Sequence, residues 1–135
     1  MFTVEQREHV RRYILEMAQA DSRVTGGALI GSMAFEAGDR WSDIDVTFGI
    51  ADGVALETVL DEWTQVLDRE FGVLDLFDLR SGPSIYRVFL LSGGLEADVS
   101  VTPAEEFGAR GPNFHILFGT ARQLEAPPPT PQNGF

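Results

Sequence analysis

Three sets of residues in this 135-residue sequence have side chains and spacing suited to joint chemistry. They are Gly31-Ser32, then Asp43-Ile44-Asp45 after an interval of ten residues, and the isolated carboxylate Asp98. Ala28-Leu29-Ile30 reads as an apolar strand ending in Gly31 and Ser32, where bare backbone N–H groups can approach an anion closely. Ser42 to Phe48 alternates polar and apolar, so Asp43, Asp45 and Thr47 share one face of a strand and Ile44, Val46 and Phe48 the other. One face can hold metal while the other joins a core. An anion-sized turn joined to paired carboxylates suggests chemistry on a nucleoside triphosphate.

Two or three carboxylates suit Mg²⁺, which keeps some of its waters and completes its shell with substrate phosphates. Glu96, Asp98 and Ser100 alternate with Leu95, Ala97, Val99 and Val101, so Asp98 also faces away from the core. With Asp98 on a neighbouring strand, Asp43, Asp45 and Asp98 could hold two ions, one gripping a triphosphate and one activating an acceptor hydroxyl. Asp98 is then placed to take the hydroxyl's proton. The reaction is transfer of a nucleotidyl group with loss of pyrophosphate. Taken singly, each aspartate is also what the solvent side of an amphipathic strand requires; the joint spacing is what favours a site.

Other polar and aromatic residues admit two readings each. Glu96 either joins the metal group, where carboxylate crowding would raise its pKa without metal, or is a solvated neighbour. Trp41 either stacks on a base or packs beside the strand, and Trp63 belongs to the core. Arg87 either meets phosphate or pairs with Glu96 across a hairpin. His9 and His115 form no ligand pair, and no Ser-His-Asp set can be assembled.

The elements that must position these groups follow from periodicity. Thr3 and Gln6 form a capping box ahead of Val10, Ile14 and Met17, predicting a helix over about 3 to 20. Val24 to Ile30 is a short strand whose Gly26, Gly27 and Ala28 admit close neighbours. Leu56, Val59, Leu60, Trp63, Val66 and Leu67 mark one face of a helix over about 54 to 70. Strands are expected at 73–79, 85–91 and 95–101, separated by Ser81-Gly82-Pro83 and Gly93-Gly94, with the last two strands a hairpin. Phe114 to Phe118 adds a short strand or a packed segment. The Pro-rich stretch from Ala126 reads as a linker or tail, leaving one domain over residues 1–125.

Composition narrows the function classes. The net charge is −11, the basic residues are all arginine, and cysteine is absent. A Gly-Lys-Ser/Thr phosphate loop, disulfides and thiolate metal sites are thereby excluded. The acidity opposes an extended nucleic-acid interface and suits a small cationic molecule or a basic protein surface. Without an apolar run of about 20 residues or a leader-like start, no membrane contact and a cytoplasmic location are expected.

Leu29-Ile30-Gly31-Ser32, Asp43-Ile44-Asp45-Val46 and Ala97-Asp98-Val99-Ser100-Val101 together resemble the nucleotidyltransferase superfamily of polymerase-beta type. The nearest likeness is to bacterial aminoglycoside nucleotidyltransferases and minimal nucleotidyltransferases, over residues 24 to 120. The resemblance implies an α/β (α+β) fold with a mixed sheet of about five strands flanked by helices, together with Mg²⁺ and a nucleoside triphosphate such as ATP. It places Gly31 and Ser32 on the β- and γ-phosphates, Asp43 and Asp45 on metal, and Asp98 as third ligand or base. Many relatives carry Ala-Arg-Gly soon after the Gly-Ser, whereas this chain has Ala34-Phe35-Glu36. A cation is lost there and a carboxylate added; Arg40 either supplies the missing charge, if the loop folds back, or is an ordinary exposed arginine. Phe35-Glu36 reads as a local retuning or as a decayed site, the latter leaving a binding module. Antibiotic-modifying relatives usually carry a C-terminal helical domain. The expectation here is therefore either the catalytic half of a longer parent or a minimal form completed by a partner chain. The acceptor is a hydroxyl of a small cationic molecule such as an aminoglycoside, or of a partner protein.

Overall fold

The computed structural model describes residues 2–30, 43–109, 114–119 and 122–123. Helix α1 spans Val4–Gln19 and opens with the expected capping box: Thr3 accepts from the Gln6 amide at 3.0 Å, and Gln6 accepts from the Thr3 amide at 2.7 Å. Two of the donors that a helix start leaves unpaired are thus satisfied reciprocally. Helix α2 spans Leu56–Phe71 and ends at Gly72, whose φ of 78° is the left-handed conformation a glycine tolerates.

Strands β1 (Val24–Ile30), β2 (Ile44–Ile50), β3 (Val73–Ser81), β4 (Ser84–Leu91), β5 (Glu96–Pro103) and β7 (Phe114–Gly119) form one mixed sheet in the order β3-β4-β5-β2-β1-β7. The sheet has six strands rather than about five, because Phe114 to Phe118 takes the strand alternative and pairs antiparallel with β1. Two short strands, β6 (Gly108–Ala109) and β8 (Arg122–Gln123), pair apart from it. Every neighbouring pair in the sheet is antiparallel except β2 with β5. That parallel pairing needs a long crossover, and the chain provides it through α2 and the β3-β4 hairpin. The Ser81-Gly82-Pro83 break makes a second hairpin, beside the expected one at Gly93-Gly94.

Both helices contribute to one apolar cluster. Val10, Ile14 and Ala18 of α1 and Val59, Leu60, Trp63 and Leu67 of α2 join Ile44, Val46, Phe48 and Ile50 of β2 and Ala97, Val99 and Val101 of β5. Trp63 stands edge-on to Phe48 with ring centroids 5.3 Å apart, as aromatic quadrupoles prefer. Its indole N–H donates to Asp21, which also takes two hydrogen bonds from the Arg23 guanidinium. The Arg23 contact holds the Asp21 carboxyl down at about 2. Gly27 is required by packing: a side chain there would meet Phe118 at 2.6 Å and Phe48 at 2.9 Å.

Arg87 corrects the sequence reading. It faces neither phosphate nor Glu96 but lies on the helix side of the sheet, 7% exposed. It donates to both carboxylate oxygens of Asp78 (2.6 and 2.8 Å), to Asp61 (2.9 Å) and to Thr64 (3.1 Å). The cause is register: β4 places Arg87 opposite Asp78 of β3 and in line with Ile85 and Phe89, whereas Glu96 stands opposite Leu90 on the other face. Among the described residues, no helix is long and apolar enough to cross a membrane. The linker or tail expected at 126–135 lies outside the described residues.

Candidate active site

Alternation along β2 sends Ile44, Val46, Phe48 and Ile50 into the core and leaves Asp45 and Thr47 on the face away from the helices. The same alternation in β5 buries Ala97, Val99 and Val101 and leaves Asp98, Ser100 and Thr102 on that face. Because β2 and β5 run parallel in register, Asp45 stands beside Asp98, Thr47 beside Ser100 and Gly49 beside Thr102. The next strand extends the rows, with Val88 of β4 beside Asp98 and Tyr86 beside Ser100. The face away from α1 and α2 thus carries one row of carboxylates followed by two rows of hydroxyls.

Two carboxylates 53 positions apart in sequence meet here only because α2 and a hairpin carry the chain over to a parallel partner. Both are partly buried, and both resist ionisation. Burial, assisted by the Asp98 charge, pushes Asp45 up to about 7; burial, assisted by Glu96, pushes Asp98 up to about 6. Desolvation and like-charge repulsion both disfavour the anion. The crowding foreseen at Glu96 therefore acts on Asp98. Oδ1 of Asp98 is buried and has no hydrogen-bond partner among the described residues, although buried polar atoms are nearly always paired. A divalent cation would supply the missing partner and reverse both pKa shifts, so this pair of oxygen donors fits Mg²⁺.

Asp43 is placed differently. It sits just before β2, where its amide donates to the Glu96 carbonyl and its Oδ2 accepts from the Glu96 amide, each at 2.9 Å. Its carboxylate thus closes the mouth of the β2-β5 pairing. Among the described residues, no group of three or more His, Cys, Asp or Glu side chains converges as a metal site. Gly31, Ser32 and Arg40, together with Phe35, Glu36 and Trp41, lie outside the described residues.

The sequence reading did not anticipate the hydroxyl rows. Thr47 and Ser100 share faces with the aspartates by simple alternation, but Tyr86 and Ser84 reach them only through strand pairing. Ser84 Oγ lies 2.6 Å from Thr102 Oγ1, joining β4 to β5 at that end of the face. Gly49 leaves room for Phe107, since a Cβ there would come within 2.8 Å of the ring. No protein-family model and no curated protein matches this chain.

Proposed function

We propose that the chain is a Mg²⁺-dependent nucleotidyltransferase that moves an NMP, AMP in the simplest case, from an NTP to a hydroxyl of a small acceptor. The observation that carries this reading is the side-by-side placement of Asp45 and Asp98 on parallel strands, with a buried Asp98 oxygen that has no partner among the described residues. Such a pair, kept partly protonated by its own surroundings, is unfavourable for stability and useful for binding a cation or moving a proton.

In this reading Asp45 and Asp98 hold the metal, and Asp43, which does not converge with them as placed, would join through the oxygen not held by the Glu96 amide once its side chain turns toward the pair. The metal, when bound, neutralises phosphate charge and favours the ionised acceptor oxygen. Asp98 accepts the acceptor's proton. The acceptor oxygen bonds to the α-phosphorus as the bond to the bridging oxygen breaks, and pyrophosphate leaves with the electron pair. Gly31 and Ser32 would contact the β- and γ-phosphates through backbone N–H and hydroxyl groups, and Arg40 would add a cation.

Calorimetry with ATP and MgCl₂ tests the proposal. Binding that requires Mg²⁺ and disappears in Asp45→Asn and Asp43→Asn is expected. Asp98→Asn should lower transfer by about 10²-fold or more, the scale of a lost positioned base. Absence of Mg²⁺-dependent ATP binding at millimolar concentration would leave a binding module of the same fold.

A protein hydroxyl is a second acceptor reading, favoured by one observation. Phe77 and Leu79 of β3 are 53% and 54% exposed on the same face as the carboxylates, in line with Val88 and Tyr86. Exposed apolar clusters of this kind often mark protein contacts. Transfer of labelled nucleotide into a protein fraction, and not into small hydroxyl compounds, would select it.

A further inference from the structure

A cavity of about 420 Å³ opens on the face away from α1 and α2, at the end of β5 away from the Asp45-Asp98 row. Its lining includes Thr47, Ser84, Tyr86, Thr102, Glu106 and Phe107. We infer that this cavity is a subsite for a small polyol of monosaccharide size, and that it holds the acceptor whose hydroxyl is modified. The second half of that statement rests on the nucleotidyltransferase reading; the first half does not.

Three features set the ligand class. The volume lies within the range of about 300–1,000 Å³ common for small-molecule sites. Hydroxyl side chains donate and accept alike, so they match a ligand that presents both roles on every carbon, and an aromatic ring offers a flat apolar surface to the C–H face of a sugar. None of the described residues lining the cavity is cationic, and Glu106 adds a negative charge. A triphosphate is therefore disfavoured here, which separates this cavity from the nucleotide.

Position ties the cavity to the carboxylates. Thr47 is one row along the strand from Asp45 on the same face, and same-face residues on a strand repeat about every 7 Å. A ring seated among Thr47, Tyr86 and Thr102 spans that step and directs a hydroxyl toward Asp98. Thr47 and Thr102 are buried, and the Ser84–Thr102 hydroxyl contact ties β4 to β5 there.

NMR titration of the full chain with methyl α-glucoside and with glucosamine tests the inference. Saturable shifts at Thr47, Tyr86 and Thr102 in the low-millimolar range are expected, with inorganic pyrophosphate producing none there. Tyr86→Ala and Thr102→Val should each weaken the sugar probes by about tenfold, as loss of a main contact does, while Mg²⁺-dependent ATP affinity stays unchanged. Folded protein that gives no saturable shift with either sugar overturns the polyol site, as do variants that bind the sugars like the parent or pyrophosphate shifts at these residues. Sugar binding that persists in protein unable to bind Mg²⁺ and ATP upholds the subsite and defeats only the transfer reading.

Discussion

Asp45 and Asp98 are the residues at which folding and chemistry oppose each other. A carboxyl whose native pKa lies above the ordinary value of 3.8 binds more protons folded than unfolded. Its contribution to stability is therefore complete below about pH 4 and is lost as pH rises through about 6 for Asp98 and about 7 for Asp45. In EDTA the protein should lose roughly 1–3 kcal/mol between pH 5 and pH 8, a figure already reduced for partial solvent screening. Asp45→Asn should flatten most of that slope and raise stability at pH 8, since the amide cannot ionise. Urea denaturation at several pH values measures it, and a flat profile would show that both carboxylates ionise freely. The alternation that exposes Asp45 and Asp98 was legible in sequence, whereas Asp43's hydrogen bond to Glu96 was not. That contact depends on which strand enters beside β2, and local periodicity carries no such information.

At the scale of elements, the two helices and the strand set were readable because each carries a local signal: the Thr3–Gln6 capping box and apolar period for α1, the apolar period Val59 through Leu67 for α2, alternation in β2 and β5. Pairing was harder to read. Arg87 shows why: its partners Asp78 and Asp61 come from β3 and α2, and only the assembled hairpin with α2 across it brings them together. This clamp ties α2 to the edge of the sheet, with the Arg87 side chain 9% exposed, Asp78 29% and Asp61 65%. Exposure ranks the contributions. Arg87→Ala strands a half-buried carboxylate and should cost roughly 2–3 kcal/mol, below the full figure for a wholly buried pair. Asp61→Ala should cost under about 1 kcal/mol, because its ion pair is already screened. Chemical denaturation of both variants decides the ranking, and a larger loss for Asp61→Ala would place the joint at α2 rather than at the β3-β4 pair.

At the scale of the whole molecule, one sheet face is given to the core and the other to acidic and hydroxyl side chains, in a chain of net charge −11. Such a charge produces two distinct responses to cations. Sodium chloride screens diffuse repulsion across the surface and should raise stability gradually in every variant. A cation held at Asp45 and Asp98 acts by mass action on the native state alone, since the unfolded chain does not bring these two side chains together. With Mg²⁺ at ten times its dissociation constant the gain is about 1.4 kcal/mol, which for a domain of this size raises Tm by roughly 3–6 °C. The gain should be present at pH 8, where the carboxylates are ionised, and shrink toward pH 5, where protons compete for the same oxygens. At constant ionic strength the Asp45→Asn/Asp98→Asn double variant should keep the sodium response and lose the magnesium increment. Equal stabilisation of parent and double variant by MgCl₂ would reduce the acidic row to a feature of general charge, whatever the polyol cavity binds.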